Sequence, residues 1–102
     1  MDAALPADEI AIIHEVLAAH KDQIRGFHRL RTRRAGATRH VDMHLLVDSH
    51  LTVEQSHEIT EALEHEIEAQ LPGATVVIHL EPDDGRHRGP LEEMARRRPD
   101  AG

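Results

Sequence analysis

The stretch Thr-Val-Val-Ile-His-Leu-Glu-Pro, Thr75 to Pro82, constrains the fold more than any other. It is β-branched and apolar, and it breaks at Pro82 and the turn-forming Asp83-Asp84-Gly85. That combination predicts a short buried strand. Side chains alternate along a strand, so His79 and Glu81 point the same way. An imidazole beside a carboxylate at the end of an apolar strand is either a surface ion pair or half of a metal site. The other histidines bear on which.

Histidine is the unusual count: ten in 102 residues, spread over the whole chain. Cysteine is absent, which removes disulfides, thiolate ligands and a cysteine nucleophile. A formal net charge of −7 disfavours nucleic acid and anionic membrane as partners. One Phe, with no Trp or Tyr, provides no base-stacking platform. No run reaches the roughly 20 apolar residues of a membrane span, and no secretory signal is present. The length suits one small domain with a modest core.

Residues 1–6 read as a lead. Ile10, Ile13, Val16 and Leu17 fall at helical spacing and predict a helix from Ala7 to about Gln23. Asp8 and Glu9 suit its first turn and Lys21 its last. His14 and His20 have no local carboxylate partner and are expected at the helix surface or boundary. After Gly26, Phe27 to Arg34 is a candidate strand, with Phe27, Arg29, Arg31 and Arg33 on one side and His28, Leu30 and Thr32 on the other. Ala35-Gly36-Ala37 is a turn. Arg39 to Asp48 is a second strand, with Val41, Met43, Leu45 and Val47 on one face and Asp42, His44 and Leu46 on the other. The short connection through Gly36 implies an antiparallel hairpin.

Thr52-Val53-Glu54-Gln55 has capping-box form and opens a helix from Val53 to about Gln70. Its buried stripe is expected to be Val53, Ile59, Leu63, Ile67 and Leu71, with the many glutamates on the wet face. Pro72-Gly73 stops it, and the strand at Thr75 follows. The order helix-strand-strand-helix-strand implies an α+β domain over residues 7–84, two helices on one face of a three-stranded sheet. Residues 85–102, rich in Arg and carrying Pro90 and Pro99, are expected to be a flexible tail with no assigned role.

His28 opens the first strand, His44 lies within the second, His57 sits early in the second helix, and His79 is on the third strand with Glu81. Imidazole nitrogen and carboxylate oxygen are zinc ligands, commonly four in tetrahedral array. Without sulfur the set suits Zn2+, and also Co2+, Ni2+, Cd2+, Mn2+ or Fe2+. A hydrolytic zinc enzyme would need an open position and a general base in a cleft. No His-Glu-x-x-His is present, so no enzyme is expected. His40, His50, His65 and His87 are expected at the surface, His50 alternatively as an accessory ligand.

The segments Gly26-Phe27-His28-Arg29-Leu30-Arg31-Thr32-Arg33, Val41-Asp42-Met43-His44-Leu45, Leu51-Thr52-Val53-Glu54-Gln55-Ser56-His57 and Val77-Ile78-His79-Leu80-Glu81-Pro82 occur in a fixed order. Together they resemble the cytoplasmic C-terminal domain of cation diffusion facilitator transporters, over about Ala7 to Asp84. The resemblance implies a metallochaperone-like (ferredoxin-like) fold and a homodimer whose subunits are drawn together by metal. It also implies a cytoplasmic location and attachment to the membrane domain of a cation transporter. Carried over by position, the implied metal ligands are His28, His44, His57, His79 and Glu81. The acidic position is often Asp in that family, and Glu81 is one methylene longer. No stretch matches the family's membrane helices, so this chain alone is not expected to move an ion across a membrane. The alternatives are a free-standing cytosolic metal buffer or chaperone, and a dimerisation module that works without metal.

Overall fold

Turn residues divide the chain into α1 (Ala7–Ala19), β1 (Gly26–Ala35), β2 (Thr38–Asp48), α2 (Val53–Gln70) and β3 (Ala74–Asp83). This is the expected α+β order. It is seen in a computed structural model that describes residues 4–83 and 85. The tail beyond residue 85, with His87, lies outside the described residues, as do residues 1–3 of the lead.

The strands form one sheet in the order β1-β2-β3. β1 and β2 are antiparallel, and Ala35 pairs with Thr38 across a loop of Gly36 and Ala37. Gly36 has φ 63, the positive value that the first loop residue of a type II′ hairpin turn requires. β3 runs parallel to β2, so α2 is the crossover that returns the chain.

One face of the sheet meets both helices. Val41, Met43, Leu45 and Val47 of β2 pack with Ile13, Val16 and Leu17 of α1, Leu63 and Ile67 of α2, and Val76 of β3. Leu5, in the stretch read as a lead, is also buried there, and its N–H donates to Thr32 Oγ1 at 3.1 Å. Among the described residues, the other face carries no helix.

Several expectations change. The stretch at Thr75 is not a buried strand but the edge strand β3, on which Val76 alone is buried. Val53 is 86% exposed and does not belong to the buried stripe of α2. Burial on that helix begins at Thr60, so its first turns overhang the core. β1 does not alternate evenly either. His28 pairs with His44 but Arg31 pairs with Asp42, so Arg29 and Leu30 together oppose Met43 in a β-bulge. Arg29 takes φ 56, left-handed for a non-glycine residue. The extra residue shifts the phase of the strand. Phe27 and Leu30 both reach the core, while His28 and Arg31 both take the helix-free face.

The capping box at α2 forms as expected. The Gln55 N–H donates to Thr52 Oγ1 at 3.0 Å, and the Thr52 N–H donates to Gln55 Oε1 at 2.9 Å. Thr52→Ala is expected to lower stability by about 1 kcal/mol in urea unfolding, whereas Thr52→Asp restores most of it. Equal losses for both would argue against a capping role.

α1 ends sooner than its apolar spacing suggests, in a tightened turn where the His20 and Lys21 N–H groups donate to Leu17 and Ala18 carbonyls. There His20 finds partners that local sequence does not reveal. Its Nδ1 lies 2.7 Å from Gln23 Oε1 and its Nε2 lies 2.9 Å from Glu66 Oε2 on α2. Both ring nitrogens face oxygen acceptors, so only the imidazolium donates to both. The hydrogen bond to Gln23, against some desolvation and with the help of Glu66, raises the His20 pKa. A raised histidine pKa contributes stability that is complete below the unfolded value, about 6.5, and is lost as pH rises through the folded value. Wild type is therefore expected to exceed His20→Ala by about 0.5–1 kcal/mol near pH 6, with Glu66 half exposed and screened, and by less near pH 9. Thermal unfolding across that range checks it. A gap that stays constant with pH would contradict a charged clasp between the helices.

Arg39 closes the other end of the helical layer. Its guanidinium forks onto Glu9 of α1 at 3.0 and 3.1 Å and donates to the Pro72 carbonyl at 3.0 Å. The Arg39 hydrogen bond, partly opposed by desolvation, holds the Glu9 carboxyl below its ordinary range.

Candidate metal centre

Register sets the site. On the helix-free face, His28, His44 and His79 are neighbours across β1, β2 and β3. The next row is Gly26, Leu46 and Glu81 on one side, and Arg31, Asp42 and Val77 on the other. The bulge is what brings this about. It leaves His28 on the same face as His44 while Leu30 still reaches the core.

Glu81 reaches inward from β3. His28 Nε2 lies 2.9 Å from Glu81 Oε1, and His44 Nδ1 lies 2.5 Å from Glu81 Oε2, so each imidazole donates to one carboxylate oxygen. The rings of His28 and His44 are 5.2 Å apart. His79 is exposed and stacks on His44 with centroids 5.0 Å apart. The His28 hydrogen bond, partly opposed by desolvation and joined by that from His44, lowers the Glu81 pKa. Side-chain exposures of 18%, 26% and 27% for His28, His44 and Glu81 mean the group is sheltered yet reachable from solvent.

The donor set fits a divalent cation. One ligand atom from each of His28, His44 and Glu81 lies within 4.8 Å of the other two, the one such trio among the described residues. Zinc bonds of about 2.0–2.2 Å separate ligands by up to roughly 4 Å, so small side-chain rotations close the set. Two imidazoles and a carboxylate would supply three of the four ligands of a tetrahedral ion.

The structure therefore brings together three of the five residues that the resemblance implies as ligands. His79 stands beside them, stacked rather than converging. His57 does not join them within one chain. It lies on α2, in the helical layer on the opposite side of the sheet, 66% exposed and 3.4 Å from Glu61. Among the remaining histidines, His20 is the clasp described above and His14 meets Phe27 edge-on at 5.5 Å. His50 is 92% exposed and bonds with Asp48, whose carboxyl the His50 N–H and Arg25 hold down to about 2. His40 is half-buried on the helix-free face, and His65 is exposed on α2.

Sequence reasoning missed one neighbour of the site. Leu46 is fully buried although it shares the face of His44 and Glu81, which carries no helix. The apolar run Leu45-Leu46-Val47 was the signal, because three consecutive apolar residues on a strand cannot all face one side.

Fold and site thus define a metallochaperone-like α+β domain with a histidine–carboxylate cluster on its open sheet face. Residues 5–83 match the family model described as the cytoplasmic domain of cation efflux proteins, and the chain belongs to that family. It is 43% identical over 82 residues to the cation-efflux pump FieF of Pectobacterium atrosepticum, a match covering 80% of this chain and 27% of that protein. The chain thus spans about a quarter of the length of that relative. Among solved structures, CzrB in its zinc form superposes with a TM-score of 0.74 at 34% identity, over 86% of this chain and all of that one. A variant of the MamM domain in its cadmium form gives a TM-score of 0.60 at 27% identity, over 72% of this chain and 96% of that one. No helix among the described residues is long and apolar enough to cross a membrane.

Proposed function

We propose that this domain binds a divalent cation, Zn2+ foremost, and that binding biases a homodimer of the domain toward a compact state, so regulating an attached cation efflux transporter. The observation that carries the proposal is the meeting of His28, His44 and Glu81 from three strands on a solvent-reachable face. The zinc form of CzrB and the cadmium form of MamM support the choice of ion. The family of cytoplasmic efflux domains supports the setting.

The bound ion supplies positive charge and coordinate bonds. The chain supplies everything that decides where these act. His28, His44 and Glu81 would hold the ion: the protons that Nε2 of His28 and Nδ1 of His44 now direct at Glu81 would move to the other ring nitrogen by exchange with solvent, leaving the two lone pairs and the carboxylate to serve as ligands. Three ligands leave a place for another. His79 is adjacent on the same face, and His57, exposed on α2, can take that place only from a second copy. A ligand shared between copies makes metal affinity and dimer closure one equilibrium. At about 100 times its Kd, an ion that binds only the closed arrangement favours it by roughly 2.7 kcal/mol, about a hundredfold in population.

Small-angle scattering of the domain in zinc and in chelator, paired with calorimetry, tests this. A dimer whose radius of gyration falls on zinc addition is expected. Zinc binding no tighter than millimolar, or a dimer of unchanged shape, would leave a dimerisation module indifferent to metal.

A further inference from the structure

Leu46 is 0% exposed on a face where every other described side chain of the sheet is half-buried or exposed. It stands outside the hydrophobic cluster that joins the sheet to the helices. Its register neighbours are Gly26, which has no side chain, and Glu81. To reach His28 on β1 from β3, the Glu81 side chain passes over β2 between Leu46 and His44. On the far side, Asp48 is tied to Arg25 at 2.8 Å. A buried isobutyl group thus stands in register with the residue that carries the carboxylate.

We infer that Leu46 is a positioning and metal-selecting residue: an apolar floor that holds Glu81 against His28 and His44 and denies the cluster a further oxygen donor. The inference deepens the metal-binding reading and rests on it. The central strand is the place from which one more ligand would reach the ion most directly, and the chain puts a hydrocarbon there. Ions that require six oxygen-rich ligands, such as Mn2+, then need several waters. Zn2+ is satisfied by four nitrogen and oxygen donors. Apolar surroundings also limit water at the site and set its polarity.

The test uses Co2+ as a spectroscopic probe, with Zn2+ and Mn2+ affinities measured alongside. Four-coordinate Co2+ absorbs strongly in the visible and six-coordinate Co2+ weakly. Wild type and Leu46→Met, which keeps the volume, are expected to give the strong bands. Leu46→Glu and Leu46→Gln are expected to weaken them and to raise Mn2+ affinity relative to Zn2+ by about tenfold. The uncharged Leu46→Gln carries the test if Leu46→Glu does not fold. Without metal, Leu46→Gln is expected to move the imidazole nitrogen resonances of His28 and His44, while Leu63→Val, in the helical layer, does not. Unchanged spectra, an unchanged Mn2+ to Zn2+ ratio or unmoved resonances would overturn the role of Leu46 alone. A wild-type chain that takes up no Co2+ would overturn the metal-binding reading and this inference with it.

Discussion

Leu63→Ala lowers the stability of the domain by about 2–5 kcal/mol, a loss of 10 °C or more in melting temperature for a domain of this size. Leu63 is 0% exposed and lies in α2 within the cluster of Met43, Leu45 and Ile67. Truncation removes the transfer free energy of three carbons and leaves a cavity that rigid neighbours on both layers cannot fill. A small domain holds only about 5–10 kcal/mol in total, so one such change is a large share. Val53→Ala, one helix end away and 86% exposed, is expected to change stability by no more than about 0.5 kcal/mol. Urea unfolding of both variants at one protein concentration checks the pair. Similar losses at both sites would mean that α2 docks through a different face.

Glu81→Ala is expected to weaken the proposed Zn2+ binding by about a hundredfold or more while the metal-free domain stays folded. Glu81 is the sole carboxylate of the trio and the group on which both imidazoles converge. Without it, His28 and His44 lose their common partner and the site loses its negative charge. Glu81→Gln keeps the reach and one oxygen but not the charge, so an intermediate loss is expected. Glu9→Gln, at a carboxylate bound by Arg39 far from the cluster, leaves zinc affinity unchanged. Calorimetric titration of the three variants reads these effects. Equal weakening by all three would indicate diffuse electrostatic attraction rather than a site.

Much of this fold is legible in the sequence. The apolar alternation Val41, Met43, Leu45, Val47 fixes which face of β2 is core, and therefore the face of His44. On the strand before Pro82, alternation puts His79 and Glu81 on one side but does not say which side, because Val76 and Val77 are apolar on both. The hairpin followed from Gly36, and the start of α2 from Thr52 and Gln55.

What remained hidden depends on contacts between distant residues. The bulge at Arg29 has no local signature, since an arginine rather than a glycine takes the positive φ. Only the competing needs of Phe27, His28 and Leu30 for their faces reveal it. His20 meets Glu66 across 46 residues because α1 and α2 pack, which no window of sequence contains. Val53 carries the right angle for the buried stripe, but periodicity does not say where the helix runs past its support. Choosing Glu81 and two histidines from ten requires the parallel register of β2 and β3, which pairs His44 with His79 and Leu46 with Glu81.

The most direct test is anomalous diffraction at the zinc edge from crystals of the zinc-loaded domain. The account predicts an ion bonded to His28, His44 and Glu81 of one chain, in place of the hydrogen bonds that now join them. Zinc found only at exposed histidines such as His50 or His65, with Glu81 still bonded to both imidazoles, would contradict it.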